Sequence, residues 1–305
     1  MTHLLDSLAV FSGELTPNRA VIQARLTDGQ ELAGLSLAGT VRGPRCSRGN
    51  TLPATYRLGS VGQVSNLSKS GQVENLSYVS AQALITEPVF WTPDWPALYD
   101  LAIELRQGSN ILEQATRTIG LRPLTVVGKD LVYGGKRWVV RGIRCERLLP
   151  ADIGKCRSEA ALLVPAAALD ERLMTLASEE GTLVIAELSA ENAAAELLRL
   201  SRHAAVAMAI APKGGVLPAA ALATNIVLAH RLKQGEVEPI PDYARLVLGE
   251  VTSEASFGQW AAGLARPVIA FRPLDEMYEI LAARMECDRL QRDLAPYGQF
   301  AGYIV

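Results

Sequence analysis

The sequence has few cysteines and histidines, and none of them stands in a spacing that is typical of metal binding. The four cysteines contain no C-x-x-C pair and the three histidines are scattered, at Cys46, Cys145, Cys156, Cys287, His3, His203 and His230. Zinc fingers and haem-attachment sites need closely spaced ligands. The sequence therefore predicts neither a metal centre nor a bound cofactor.

The sequence also lacks a charge bias and long apolar runs. Its 30 basic and 32 acidic side chains give a net charge of −2, so nothing attracts nucleic acid or an anionic membrane in bulk. The longest apolar run, Ala160 to Leu169, has ten residues including Pro165, whereas a membrane span needs about 18. The N-terminal MTHLLDSLAVFSG has no secretory-signal pattern. We expect a cytoplasmic protein that binds neither nucleic acid nor membrane.

Alanine is scarce in the first 150 residues, with 11 occurrences against 32 in the remaining 155. The first part contains short β-rich runs separated by Gly, Asp, Asn and Pro, which is typical of an antiparallel sandwich. The second part alternates strand-like and helical runs, for example Leu183–Leu188, Ala193–Arg202 and Val206–Ala211. This alternation predicts parallel βα units.

One repeat interrupts the β-rich part, because Gly62–Ser68 (GQVSNLS) recurs as Gly71–Ser77 (GQVENLS). Two copies are too few for a solenoid, which needs about three stacked units or more. The stretch from Ser60 to Ser80 is rich in Ser, Asn and Gly. We expect it to be an inserted surface loop.

Three motifs carry a resemblance to a known family. Phe90–Tyr99 (FWTPDWPALY) resembles the W-x-P-x-x-P-x-L-Y signature of glycoside hydrolase family 2, Thr118–Arg122 resembles its G-F-R strand, and Leu131–Ile143 resembles its F-x-L-N-G-K-P-x-x-L-R-G-V hairpin. The resemblance implies an immunoglobulin-like β-sandwich over residues 1–125, with the repeat loop 60–80 inserted, followed by a degenerate TIM-like (β/α) barrel over residues 126–305.

The barrel implied by the resemblance is incomplete. Only 18 residues separate Gly142 from Ala161, so its first helix is shortened or absent, and the last strand lies at the end of the sequence. We expect an edge or a gap in the barrel, and proteins usually cover such edges. A homodimer across the gap follows as a prediction.

Both catalytic glutamates of the family are replaced. The segment His203–Gly214 is similar to the family's H-P-S-V-x-M-W-S-L-G-N-E, which sets Gly214, preceded by Lys213, at the acid/base position, and Arg266–Arg272 is similar to K-P-x-I-x-x-E, which sets Arg272 at the nucleophile position. Neither glycine nor a guanidinium can perform these roles. We expect no catalytic residue at these positions, while Glu187 and Glu250, at the ends of predicted strands, are the fallback carboxylates.

Two functions stay open. One is a non-catalytic relative of the family that serves as a scaffold or binds a carbohydrate or a protein partner, and the other is a glycoside hydrolase that uses Glu187 and Glu250. Arg272 and Lys213 would make a ligand site favour an anionic sugar. The alternative for Arg272 is an internal ion pair with Glu187 or Glu250.

Overall fold

The chain forms two compact units. The computed structural model describes residues 4–27, 32–61, 78–215, 217–218, 222, 224–274 and 280–305. One unit comprises Met1–Phe90 and Ala97–Leu121, and the other comprises Trp91–Pro96 and Arg122–Val305. The sequence-based boundary at 125/126 lies four residues after this division, and it did not assign Trp91–Pro96 to the second unit.

The first unit contains seven antiparallel strands with the strand arrangement of an immunoglobulin-like sandwich. Their order is β1-β2-β5-β4-β3-β6-β7. They are β1 Ala9–Leu15, β2 Arg19–Thr27, β3 Leu35–Arg45, β4 Ala54–Val61, β5 Tyr78–Thr86, β6 Leu98–Gln107 and β7 Asn110–Ile119, after a 3-10 turn at Leu4–Ser7. The first five residues of β4 pair with β3 and the last three with β5, so β4 passes from one sheet to the other. The predicted sandwich is confirmed.

The strands of this unit bury every second side chain, as a sandwich requires. In β2, Ala20, Ile22, Ala24 and Leu26 are fully buried while the residues between them are partly exposed. Tyr99, from the family-like motif, is also buried, and its hydroxyl contacts the backbone N and O of Val89 at 2.9 and 3.3 Å. Burial raises the pKa of Tyr99 to about 12. The aromatic residue at the end of the motif is therefore structural.

The predicted insertion, Ser60 to Ser80, falls mostly outside the described residues. Its ends do not, because Ser60 and Val61 belong to β4 and Tyr78 to Ser80 belong to β5. Val61 lies directly opposite Ser80 in the antiparallel ladder. Residues 60, 61 and 78–80 therefore belong to paired strands and not to an inserted loop, and a short connection can join Val61 to Tyr78.

Replacing residues 62–77 by a four-residue Gly/Ser linker should leave the melting temperature within a few degrees of the wild-type value. The β4–β5 pairing that flanks the segment is retained, and closure entropy changes slowly with loop length. Differential scanning calorimetry measures the outcome. A loss of soluble expression would instead mean that the segment supplies part of the core.

The second unit contains a three-stranded antiparallel sheet and an eight-stranded parallel barrel. The small sheet has the strands β8 Leu124–Val127, β9 Asp130–Tyr133 and β10 Lys136–Trp138. The barrel strands are β11 Val140–Arg144, β12 Ala161–Pro165, β13 Val184–Glu187, β14 Val206–Ala211, β15 Val227–Lys233, β16 Leu246–Glu250, β17 Val268–Phe271 and β18 Gly302–Ile304. The predicted βα alternation is confirmed.

Helices and turns cover the barrel. We number the described helices α1 Pro150–Glu159, α2 Glu171–Glu180, α3 Ala193–Leu200, α4 Glu254–Ala262 and α5 Ile280–Leu294, with 3-10 turns at Ala166–Ala168 and Ala295–Tyr297. The first helix, α1, is present with ten residues. Residues 234–245, between β15 and β16, are all described and form no helix, so the barrel is incomplete in its helices. In the described part of the chain, no helix has the length and apolarity that crossing a bilayer needs.

The prediction of an edge or gap between the barrel strands is wrong, because the strands close. Although β18 has only three residues, it pairs with β17 on one side and β11 on the other. Glycine makes this approach possible, since a Cβ on Gly302 would lie 2.8 Å from Val140 Cβ and 2.9 Å from its carbonyl oxygen. Three residues therefore suffice for closure.

Within the second unit, the segment Trp91–Pro96 packs against α2. Trp91 is fully buried, and its indole Nε1 donates to the Ser178 carbonyl oxygen at 2.8 Å. Gly181, which ends α2 in a left-handed conformation, has no space for a side chain, because a Cβ there would lie 2.2 Å from the Pro93 carbonyl oxygen. The tryptophan and proline of the motif are therefore structural, while Trp95 is partly exposed.

A buried arginine satisfies carbonyl groups at the N-terminal ends of β14 and β15. Arg122 Nη1 donates to the carbonyl oxygens of Val206 at 2.6 Å and His203 at 3.3 Å, and also to that of Ala204. Arg122 Nη2 donates to the carbonyl oxygen of Asn225 at 3.2 Å. Burial lowers the pKa of Arg122 to about 10, so the guanidinium stays charged at neutral pH. One side chain thus joins two neighbouring strand entrances.

Arg122→Met should lower the free energy of unfolding by about 2–4 kcal/mol, because several buried carbonyl groups lose their charged donor. Urea denaturation followed by circular dichroism measures the change. The matched control is Arg289→Met on the exposed face of α5, whose effect should stay within about 0.5 kcal/mol. Equal stability of the two variants would contradict the role given to Arg122.

Candidate functional site

The C-terminal ends of the parallel strands form the barrel mouth, which is where active sites of such barrels lie. Four charged residues reach this end from different strands. They are Arg144 on β11, Glu187 on β13, Arg231 on β15 and Glu250 on β16. We call them the mouth cluster.

Strand alternation explains why these side chains face the barrel axis. In β13, Val184 and Ala186 pack into the apolar layer shared with the helices, so Glu187 points the other way. In β15, Leu228 and Leu232 also pack into the outer apolar layers, so Arg231 points inward, toward the barrel axis. The arginines and glutamates therefore share one layer.

Below the mouth cluster the barrel is filled with apolar side chains. Residues that alternate with the outward-facing positions are almost fully buried: Leu163, Ile185, Met208, Leu248, Ile269 and Ile304. Side chains pack the interior of an eight-stranded barrel in this way. A ligand at the mouth would therefore contact the charged layer.

The mouth cluster is a chain of alternating charges. Glu187 Oε1 lies 2.6 Å from Arg231 Nη1, and Glu187 Oε2 lies 3.4 Å from Arg144 Nη2. Arg231 Nη2 lies 3.5 Å from Glu250 Oε2. The exposed fractions of the four side chains are between 18% and 34%. Two positive and two negative groups leave the layer with no net charge.

Arg231 is the centre of the cluster. Its guanidinium contacts both glutamates and also lies over the Phe271 ring, 5.1 Å from the ring centroid. Arg144 is held less tightly, because its closest carboxylate belongs to the exposed Glu146 and its buried Nε has no hydrogen-bond partner. Glu187 is thus fixed mainly by Arg231.

Gly214, which the sequence resemblance sets at the acid/base position, lies in the turn after β14. Gly214 has a positive φ of 68°, which favours glycine, and carries no functional side chain. The neighbouring Lys213 ammonium is 2.7 Å from Glu236 and 3.4 Å from Glu238, and these contacts raise its pKa. Lys213 is therefore already ion-paired.

Arg272 follows β17 and lies outside the mouth cluster. Its guanidinium is 2.7 Å from Glu254, in the first turn of α4, and 3.0 Å from Asp293 on α5. The expectation of an internal ion pair is met, but the expected partners Glu187 and Glu250 are wrong. The reason is alternation, because Val268 and Ala270 pack outward, and Arg272 follows them on the same face.

Sequence reasoning missed Arg144 and Arg231, the partners of both fallback carboxylates. A usable signal was present, since each arginine lies near the C-terminal end of a strand-like run, VRGIR or VLAHRLK. An arginine at a strand end of a parallel barrel needs a counter-ion or solvent. In the described part of the chain, no group of three or more His, Cys, Asp or Glu residues is arranged to hold a metal ion.

The ion pairs of the mouth cluster should be energetically coupled. Arg231→Met should lower the free energy of unfolding by about 1–3 kcal/mol, because the mostly buried Glu187 loses its nearest cation. The double variant Arg231→Met/Glu187→Met should be more stable than the sum of the single effects predicts, by about 1 kcal/mol. Urea denaturation of the four proteins gives this coupling. Additive effects would refute the ion pair as a stabilising contact.

Comparison with known proteins shows similarity in one sequence segment and in the fold. Residues 48–122 match the family model described as glycosyl hydrolases family 2. No curated protein matches the sequence. The structural matches share the fold but little sequence.

Solved structures match both units. A Bacteroides uniformis beta-glucuronidase 2, covalently bound to cyclophellitol-6-carboxylate aziridine, matches with a TM-score of 0.59 and 12% identity over 97% of this chain and 45% of its own. A Ruminococcus gnavus beta-glucuronidase in complex with an N1-substituted uronic isofagomine matches with a TM-score of 0.60 and 12% identity over 97% of this chain and 59% of its own. The chain spans less than two thirds of these proteins. It resembles glycoside hydrolase family 2 in a sequence segment and in the fold of both units.

Proposed function

We propose that this chain is a non-catalytic relative of glycoside hydrolase family 2 that serves as a scaffold or a binding protein. The observation that carries the proposal is the position of Glu187, whose carboxylate is held between the guanidinium groups of Arg144 and Arg231. The charges at the barrel mouth are thus directed at one another. They are not arranged around a space for a reacting sugar.

The chemistry of retaining hydrolysis supports the same conclusion. It needs two carboxyl groups about 5–5.5 Å apart, one of which carries a proton to the leaving oxygen. Gly214 and Arg272 supply neither group at the family-like positions. Glu187 is an ion-pair partner of two guanidinium groups, and a charged carboxylate cannot donate a proton.

A second candidate, a hydrolase with relocated carboxylates, has one observation in its favour. Glu187 and Glu250 both contact Arg231, so two carboxylates do lie on the same side of the barrel mouth. Their ion pairs would have to open before either group could bind a sugar. This requirement makes the non-catalytic function the better supported of the two.

A carbohydrate ligand is a finer proposal. The two beta-glucuronidases are bound to compounds whose names contain a carboxylate or a uronic group, and an acidic sugar is the ligand that Arg272 and Lys213 would favour. Such a sugar would have to displace Glu254 and Asp293 from Arg272 and Glu236 from Lys213. We therefore favour a scaffold over a sugar-binding protein. The homodimer predicted across a barrel gap loses its basis, since the strands close.

The purified chain should not hydrolyse aryl glycosides. The panel contains 4-nitrophenyl β-glucuronide, β-galactoside and β-mannoside, with release of 4-nitrophenol as the readout. Wild type, Glu187→Gln and Glu250→Gln should all match the buffer rate, because the two carboxylates are occupied by arginine. Turnover by the wild type that disappears in either variant would establish the hydrolase instead.

A further inference from the structure

A groove lies at the opposite end of the barrel from the mouth cluster. It has a volume of about 210 Å³ and is formed by the last turns of α4, the segment that enters β17 and the segment that enters β18. The tip of the β8–β9 hairpin closes one side with Lys129. All of these elements belong to the second unit.

The groove is positively charged. Lys129 and Arg266 line it, and none of the described residues that line it is Asp or Glu. The Arg266 guanidinium has no hydrogen bond or ion pair among the described residues. A partly buried, unpaired guanidinium offers a planar set of donors that suits an oxyanion.

Arg266 is not needed to satisfy the end of α4. The Ala262 carbonyl oxygen already accepts a hydrogen bond from Lys129 Nζ at 3.0 Å. The N–H groups of Gly263 and Leu264 bond to the Trp260 and Ala261 carbonyl oxygens at 3.1 Å. Helix capping therefore accounts for Lys129 and leaves Arg266 without a structural role.

Apart from Gln299, the rest of the groove is lined mainly by apolar groups and suits a ring. Gly258, Ala261 and Ala262 form one wall, and Tyr297, of which 45% is exposed, forms another. Gly258 has to be glycine, since a Cβ would lie 2.4 Å from Tyr297 Cβ. The volume corresponds to about seven water molecules, which is below the range of drug-sized pockets. The groove thus fits a single small ring with an anionic group.

We propose that this groove binds a small phosphate monoester, with the phosphate between Arg266 and Lys129 and the organic part against Tyr297. A dianion is attracted to each of the two cations about twice as strongly as a monoanion at the same distance. The groove should therefore prefer a phosphate monoester to a carboxylate of similar size. The proposal is independent of the scaffold function and of any chemistry at the barrel mouth.

Isothermal titration calorimetry at pH 8 and low salt tests the proposal with phenyl phosphate as the probe. The full chain should bind phenyl phosphate at millimolar concentration or below, and it should bind benzoate and phenol more weakly. Arg266→Gln should weaken binding about tenfold or more, because a charge-assisted contact is lost. Lys129→Gln should also weaken the binding of phenyl phosphate, and the glutamine amide can still donate to the Ala262 carbonyl oxygen.

The variant Tyr297→Ala distinguishes the contribution of the ring contact to binding from that of the phosphate contacts. This substitution should weaken the binding of phenyl phosphate, and it should leave the affinity for inorganic phosphate, which binds more weakly, unchanged. The matched control is Arg289→Gln on α5, which does not line the groove and should bind like the wild type. No heat of binding with the wild-type chain, or equal affinities for Arg266→Gln, Lys129→Gln and the control, would overturn the proposal.

Discussion

The Arg122 guanidinium holds together the N-terminal ends of two neighbouring barrel strands, β14 and β15. Backbone carbonyl groups that are buried without a donor cost about as much free energy as a lost hydrogen bond. Arg122 serves four of them, from the residues that lead into β14 and β15. A side chain that is fixed by two strand entrances also fixes their relative position. These hydrogen bonds offset the cost of burying the Arg122 guanidinium, a cost that is visible in its lowered pKa.

At the other end of the barrel, the same electrostatic requirement is met by side chains alone. The apolar interior offers no donor to a carboxylate, so charges at the strand ends need partners within their own layer. Arg231 meets this requirement for Glu187 and Glu250 and also contacts the Phe271 ring. Ion pairs between groups that are mostly removed from water stabilise only when both partners are present. We therefore expect the ion pairs of the mouth cluster to be lost or kept together.

The sequence predicted the order of the elements well, because alternation of strand-like and helical runs reports on local structure. It predicted less well which charges meet. In a parallel barrel both faces of a strand are buried, so VIAF before Arg272 shows no apolar–polar alternation from which an inward face could be read. Arg272 consequently pairs with α4 and α5 and not with Glu187 or Glu250. The gap was mispredicted for a different reason, since the three residues of β18 are enough to pair on both sides.

The residues of the family-like motifs have structural roles, whereas catalytic carboxylates do not. Tyr99, Trp91 and Arg122 hold backbone groups through the hydrogen bonds of a hydroxyl, an indole and a guanidinium. Their loss would leave buried polar atoms unsatisfied, so this fold depends on them as hydrogen-bond partners. A catalytic carboxylate has no such structural duty, because an active site is a place where charges stay unpaired at a cost in stability. Gly214 and Arg272 carry no carboxylate, and the glutamates of the mouth cluster are ion-paired, so this chain avoids that cost while keeping those structural contacts. The family-like motifs therefore report on folding, and the proposed function depends on the ion pairs of the mouth cluster.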